Sequence, residues 1–308
     1  MEQLHDPHPW VAAGRGRIRF GVTQATFETS PEWDTRVAFV RAAEALGLDS
    51  YWAADHPTLQ PDCFTMLAGL ATATERIRLG TLVCCVHYRT ATLLARQAAD
   101  VDRISRGRLV LGLGIGWIEQ EFADQRLPFP PLRDRQRALD ETVATVRRIW
   151  VDGPAPPVQQ PRVPILVAGG GERVTLRQVA QHAEASNFGG SSSTGGAATV
   201  ADVERKLAAL RDHCQALGRP YGSVLKTHAV APIVVAASPT GVAAKLARLS
   251  EARRASASLL AGTPEQVIAH YRPLVAAALE YFIGVVPFED HETLELLAER
   301  VVPALQPG

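Results

Sequence analysis

The chain has little of what marks several common protein classes. Its 308 residues include only four cysteines, Cys63, Cys84, Cys85 and Cys214. None forms a C-x-x-C pair, and adjacent cysteines such as Cys84 and Cys85 rarely bridge, so neither a disulfide scaffold nor a structural zinc site is expected. The nine histidines contain no H-E-x-x-H spacing, so no metal site is assigned. Charge of either sign is not in surplus: 32 basic side chains stand against 32 acidic ones, with no basic run. That balance argues against nucleic acid or an anionic membrane as partner. No apolar run reaches membrane-spanning length. The opening "MEQLHDPHPWVAAGRGR" is polar and proline-broken rather than signal-like. A cytoplasmic protein is expected, with residues 1–16 as a loose arm.

What is present is a repeating rhythm. With 46% hydrophobic residues the chain can bury a large core, as one α/β barrel or as two domains. Short apolar runs alternate with amphipathic helical stretches. The runs are IRFGV from Ile18, DSYWAAD from Asp49, RIRLGTLVCCV from Arg76 and GRLVLGLGIG from Gly107. VPILVAG from Val163, AEASNFGG from Ala183, a strand within SVLKTHAVAPIVV from Ser223, and EYFIGVV from Glu280 complete the set. Between the fourth and fifth, Leu139, Val143, Val146 and Trp150 recur at helical spacing. Continuously apolar strands suit any parallel sheet, an open doubly wound one included. Eight strand–helix units favour a (β/α)8 TIM barrel over residues 17–308.

In such barrels chemistry gathers where strands end. The second strand ends at Asp55-His56, the only adjacent acid–imidazole pair at a strand end. Such a pair serves either as a structural cap or as a proton-transfer group. The fourth strand ends in Gly112-Leu113-Gly114-Ile115-Gly116-Trp117. A dinucleotide fingerprint fails there, because Trp117 or Glu119 falls where the third glycine belongs. The fifth strand ends in Gly169-Gly170-Gly171, just before a helical run. Three glycines in a row signal a sharp bend or a close backbone approach, and a helix N-terminus beside them suits a phosphate. A tight turn without ligand is the alternative.

Taken together, "RIRLGTLV", "QAADVDRISRGRLVLGLGIGW", "PILVAGGGE" and "GTPEQV…YFIGVVP" resemble the bacterial luciferase-like superfamily, and within it the branch that uses the deazaflavin coenzyme F420. The resemblance runs from about Arg17 to Leu305 and implies the same TIM barrel. It implies that Asp55 and His56 lie beside the deazaflavin ring, His56 moving protons and Asp55 orienting that imidazole or meeting the ring's polar edge. It implies a non-proline cis peptide between Leu82 and Val83 backing one face of the ring, with Cys85 and Gln120 at the polar edge. Ala168, Gly169, Gly170, Gly171 and the helix start near Glu172 would hold the phosphate-bearing tail, and Gly170→Asp would then abolish coenzyme binding while sparing the fold.

Two departures from the family stand out. Sugar-phosphate dehydrogenase relatives carry a carboxylic acid where this chain has Trp117, which disfavours sugar-phosphate oxidation; Glu119 and Glu121 are read as solvent-facing. The proline-rich passage from Asp152 to Arg162 is short, which is read as opening the barrel mouth or altering its lid. Phe27 and Trp117 are candidate walls for an apolar small-molecule substrate. The reaction implied is hydride transfer between C5 of F420 and that substrate, in a homodimer. An FMN-dependent monooxygenase and a non-catalytic cofactor-binding member are the alternatives.

Overall fold

In a computed structural model, which describes residues 4, 6–24, 32–190, 195–230, 232–287 and 290–307, eight parallel strands close into a barrel. In chain order they are Arg19–Gln24, Ser50–Ala53, Arg78–Thr81, Leu109–Gly114, Ile165–Ala168, Ala185–Gly189, Leu225–Val230 and Tyr281–Val286. Each pairs with its sequence neighbour, the eighth returns to the first, and the third meets the fourth through Leu79 opposite Leu109. All eight runs read from the sequence are strands.

Both strand faces are buried, which is why the runs are apolar without alternation. Inward residues Trp52, Val110, Leu166, Leu225 and Ile283 fill the barrel. Outward residues such as Tyr51, Leu111, Val167 and Phe282 pack under the helices. Trp52 is accommodated by glycines. A Cβ on Gly21 or Gly80 would lie 2.6 or 2.4 Å from its indole, so neither strand tolerates a side chain there. Helix starts follow local chemistry: Asp62 caps Cys63–Ala73, Thr90 caps Ala91–Ile104, and Thr199 with Asp202 forms a capping box on Val200–Ala216. Between the last two barrel strands, Ile233–Val235 and Leu260–Gly262 form a small separate sheet that the periodicity did not signal.

Two expectations need correction. The described part of the N-terminal arm is not loose: Trp10 is 1% exposed, sits in a helical turn (Pro9–Ala12), and meets Tyr281 edge-on at 6.0 Å. It stoppers the end of the barrel from which the strands start, with Arg19 stacked 5.1 Å over Tyr281 and His8 bonded to the Arg162 carbonyl. The proline-rich passage also lies at that end, not at the mouth. Gln159 bonds to buried Asp102 and to the carbonyl of Leu109, the first residue of its strand. It connects a helix to the following strand, so its length has no bearing on a lid over the strand ends.

Candidate active site at the barrel mouth

The third strand stops at Thr81, and the chain passes through a cis peptide between Leu82 and Val83 before a two-residue strand at Cys84–Cys85. The glycines of "GLGIG" make this passage possible. A Cβ on Gly112 would lie 1.9 Å from the Thr81 carbonyl oxygen, and one on Gly114 would lie 2.6 Å from the Val83 side chain. A third, on Gly116, would strike the Phe122 ring and, at 2.9 Å, the sulfur of Cys85. The glycine pattern that mimics half a dinucleotide fingerprint is therefore explained by chain packing.

Asp55 is buried and fully engaged. Arg89 grips it with both terminal nitrogens, Nη1 to Oδ2 at 2.6 Å and Nη2 to Oδ1 at 2.9 Å, and the Cys85 amide donates to Oδ2 at 3.2 Å. This two-pronged geometry is the strong form of the ion pair and holds the guanidinium charged. Asp55, Cys63 and Cys84 place a carboxylate and two sulfurs within 4.8 Å of one another, a grouping that would suit a metal. Arg89 already brings a cation there, 3.2 Å from the Cys84 sulfur. The Cys84 thiol is pushed up by its bond with Cys63 and by burial, so it is a thiol rather than a thiolate ligand. The Cys85 thiol, driven up by burial, reaches about 12.

His56 is oriented by Glu121, not by Asp55. Its Nδ1 lies 2.6 Å from Glu121 Oε1, and Tyr88 donates its hydroxyl to Oε2 at 2.8 Å. Glu121 is only 4% exposed, against the solvent-facing position read from the sequence. The cause is its neighbour. The short helix Glu119–Asp124 drives Phe122 into a nest of Tyr88, His87 and Phe129 rings, which turns Glu121 inward. Gln120 is left on the solvent side, its amide donating to Asp124 at 2.7 Å. Trp117 is 61% exposed, so it walls nothing in this structure, and Phe27 lies outside the described residues. An acid four residues after the exposed Trp117, beside an aromatic on one short helix, is the signal that the sequence reading passed over.

The triple glycine has structural and open features side by side. Gly169 adopts φ +119°, a region reserved for glycine, and its amide bonds to Asn187. A Cβ on Gly170 would lie 2.1 Å from the Gly195 carbonyl oxygen. Gly170 also offers its own carbonyl to Lys206, 5% exposed, at 2.6 Å. Those two glycines are thus required by the chain alone. Yet the amides of Gly170, Gly171 and Glu172 have no acceptor among the described residues. Glu172 turns its carboxylate to Arg205 at 2.9 Å and Lys206 at 3.6 Å, which holds it below the usual carboxylate range and neutralises it. The helix that follows runs Thr175–His182, one residue inside each end of the run Val174 to Ala183 read from the sequence and three beyond the start near Glu172 that the resemblance implied. Ala168 half-faces the barrel interior with Leu82 and Val83.

The mouth therefore gathers an imidazole–carboxylate pair, a cis bulge and a row of main-chain donors without acceptors among the described residues, the layout of a barrel enzyme that binds its ligand at the strand ends. The chain belongs to the luciferase-like monooxygenase family, whose model matches residues 16–245, and it is an enzyme of that family. An F420-dependent glucose-6-phosphate dehydrogenase from Amycolatopsis mediterranei is 26% identical, aligned over 88% of this chain and 94% of its own. The F420-dependent tetrahydromethanopterin reductase of Methanopyrus kandleri superposes with a TM-score of 0.76 at 17% identity, covering 94% of this chain and 99% of that one. A monooxygenase from Streptomyces bottropensis reaches 0.78 at 22% identity, covering 93% and 99%. These two likenesses concern the fold.

Proposed function

We propose that this protein is an F420-dependent oxidoreductase that exchanges a hydride with a small organic substrate. The observation that carries the reading is the row of amides at Gly170, Gly171 and Glu172 without acceptors among the described residues. Backbone donors in a glycine turn ahead of a helix suit a phosphate, and the absence of side chains lets its oxygens approach. The sequence relatives named for F420 support the same choice.

The bound coenzyme supplies a hydride-accepting carbon at C5 of its ring. The chain's own residues do the rest. Gly169 to Glu172 hold the tail, with Ala168 beside them. Leu82 and Val83 would back the ring, Cys85 would face its polar edge, and His56 would exchange a proton with the substrate; Gln120, on the solvent side and bonded to Asp124, stands apart from this set. Asp55, tied to Arg89, fixes the Cys85 amide. The enzyme works on a small molecule as a cytoplasmic homodimer in this reading; none of its described helices is long and apolar enough to cross a membrane.

Titration of the purified protein with F420 and with FMN tests the proposal. Tight F420 and weak FMN binding is the expected result; the reverse would instead support an FMN-dependent monooxygenase, and binding of neither would support a non-catalytic member. Gly171→Asp sharpens it, since a Cβ there would crowd only the Thr175 hydroxyl, at 2.9 Å, which can rotate away, with the Thr175 Cβ at an ordinary 3.5 Å. A carboxylate about 4 Å from the phosphate should weaken F420 at least about tenfold.

A further inference from the structure

We infer that Glu121 and Tyr88 together set the tautomer of His56, and so decide whether its Nε2 accepts or donates a proton. This rests on the oxidoreductase reading for its consequence in turnover, but not for the tautomer itself. Glu121 is 4% exposed, and its two oxygens meet two different groups, His56 Nδ1 at 2.6 Å and the Tyr88 hydroxyl at 2.8 Å. Burial and the bond to Glu121 push the Tyr88 hydroxyl well up, so it is a donor at neutral pH. A carboxylate has only acceptors to offer. Tyr88 takes one oxygen and His56 must present Nδ1–H to the other. Neutral His56 then carries its lone pair on Nε2, the nitrogen through which it exchanges a proton with a ligand. When a substrate hydroxyl gives its proton to Nε2 as its carbon gives a hydride to the coenzyme, the imidazolium so formed lies against the buried Glu121 carboxylate. In the reverse direction the same Nε2–H returns the proton. Glu121 touches no reacting atom; it is a positioning residue.

The test uses the chemistry of glutamine, which has one acceptor and one donor end. In Glu121→Gln, Tyr88 claims the carbonyl oxygen, which leaves the NH2 facing His56. The imidazole must then present a lone pair at Nδ1 and move its proton to Nε2. Removing the Tyr88 hydroxyl as well lets the amide turn its oxygen to Nδ1 and restores the first tautomer. The prediction is therefore a rescue. Glu121→Gln should lose about 100-fold or more in kcat for substrate oxidation, the usual scale of a misplaced general base, while the F420 dissociation constant stays within about threefold. The double variant Glu121→Gln, Tyr88→Phe should recover at least about tenfold of that loss. Ring 15N shifts of His56 in the coenzyme-free protein report the tautomer directly: pyrrole-like Nδ1 in the native chain and the double variant, pyrrole-like Nε2 in Glu121→Gln. A merely structural role would give additive losses and no switch. An unchanged ring spectrum in Glu121→Gln, or a double variant no better than the single, would overturn the inference. If Glu121→Gln fails to fold, a pyridine-like Nδ1 in the native protein overturns the inference and a pyrrole-like one supports it. Absence of F420 binding by the native protein would sink the functional reading while leaving the spectra to judge the tautomer.

Discussion

The two ends of this barrel are built from the same eight strands and do opposite things. At the end where strands begin, rings pack against one another: Trp10 meets Tyr281 edge-on, Arg19 lies over both rings, and the Tyr281 hydroxyl donates to Asp49 at 2.6 Å. Trp10 Nε1 and Arg19 Nε are buried there without a hydrogen-bond partner among the described residues. Where strands end, the sequence places glycines, charged pairs and backbone donors without acceptors among the described residues. The lower end gains from burying apolar rings, so it accepts whatever shape packs. The mouth cannot relax in that way, because its donors must stay available to something that binds.

The comparison can be broken in several ways. Trp10→Ala should cost the most stability, about 3–5 kcal/mol by denaturant unfolding, the usual range for deleting a buried Trp. The F420 affinity of the folded fraction should be unchanged; a large loss would mean that the two ends are coupled. Gly170→Asp comes next, at about 3 kcal/mol or failure to fold, because its Cβ would lie 2.1 Å from the Gly195 carbonyl oxygen. The sequence alone suggested that this substitution would spare the fold. Gly171→Asp should shift unfolding by less than about 1 kcal/mol while losing coenzyme affinity, which separates cradle from scaffold at adjacent residues. A pH-dependent effect concerns Cys85. Its thiol sits at about 12 in the fold against an ordinary 9.0, so above pH 9 the unfolded chain loses a proton that the folded one keeps. Stability is then full below pH 9 and falls as pH rises toward about 12, by up to about 1.4 kcal/mol per unit. Cys85→Ser should flatten that slope in unfolding curves measured between pH 8 and 10.5.

Much of the site was legible because it lies at strand ends. Asp55-His56 and Gly169 to Gly171 each sit where an apolar run stops, and a run's end can be read locally; Leu82-Val83, inside its run, came from the family resemblance. Glu121 was not legible. It was taken as solvent-facing because a charged residue on a short helix usually is; the burial of Phe122 beside it reversed that. Asp55 was expected to orient His56 or to meet the ring's polar edge, yet just past the strand its carboxylate turns to Arg89. Trp10 was missed for a similar reason: a polar, proline-broken segment hides one aromatic that a barrel end can bury.

By itself the sequence determined the period of the fold, since strands buried on both faces need unbroken apolar runs and the covering helices need a 3.6-residue repeat. It also determined where chemistry can gather. Only the tertiary structure decided the partners. His56 and Glu121 are 65 residues apart, and Asp55 and Arg89 are 34 apart. Closing the barrel brings such pairs within hydrogen-bonding distance, and no local pattern encodes which acid a distant base will meet.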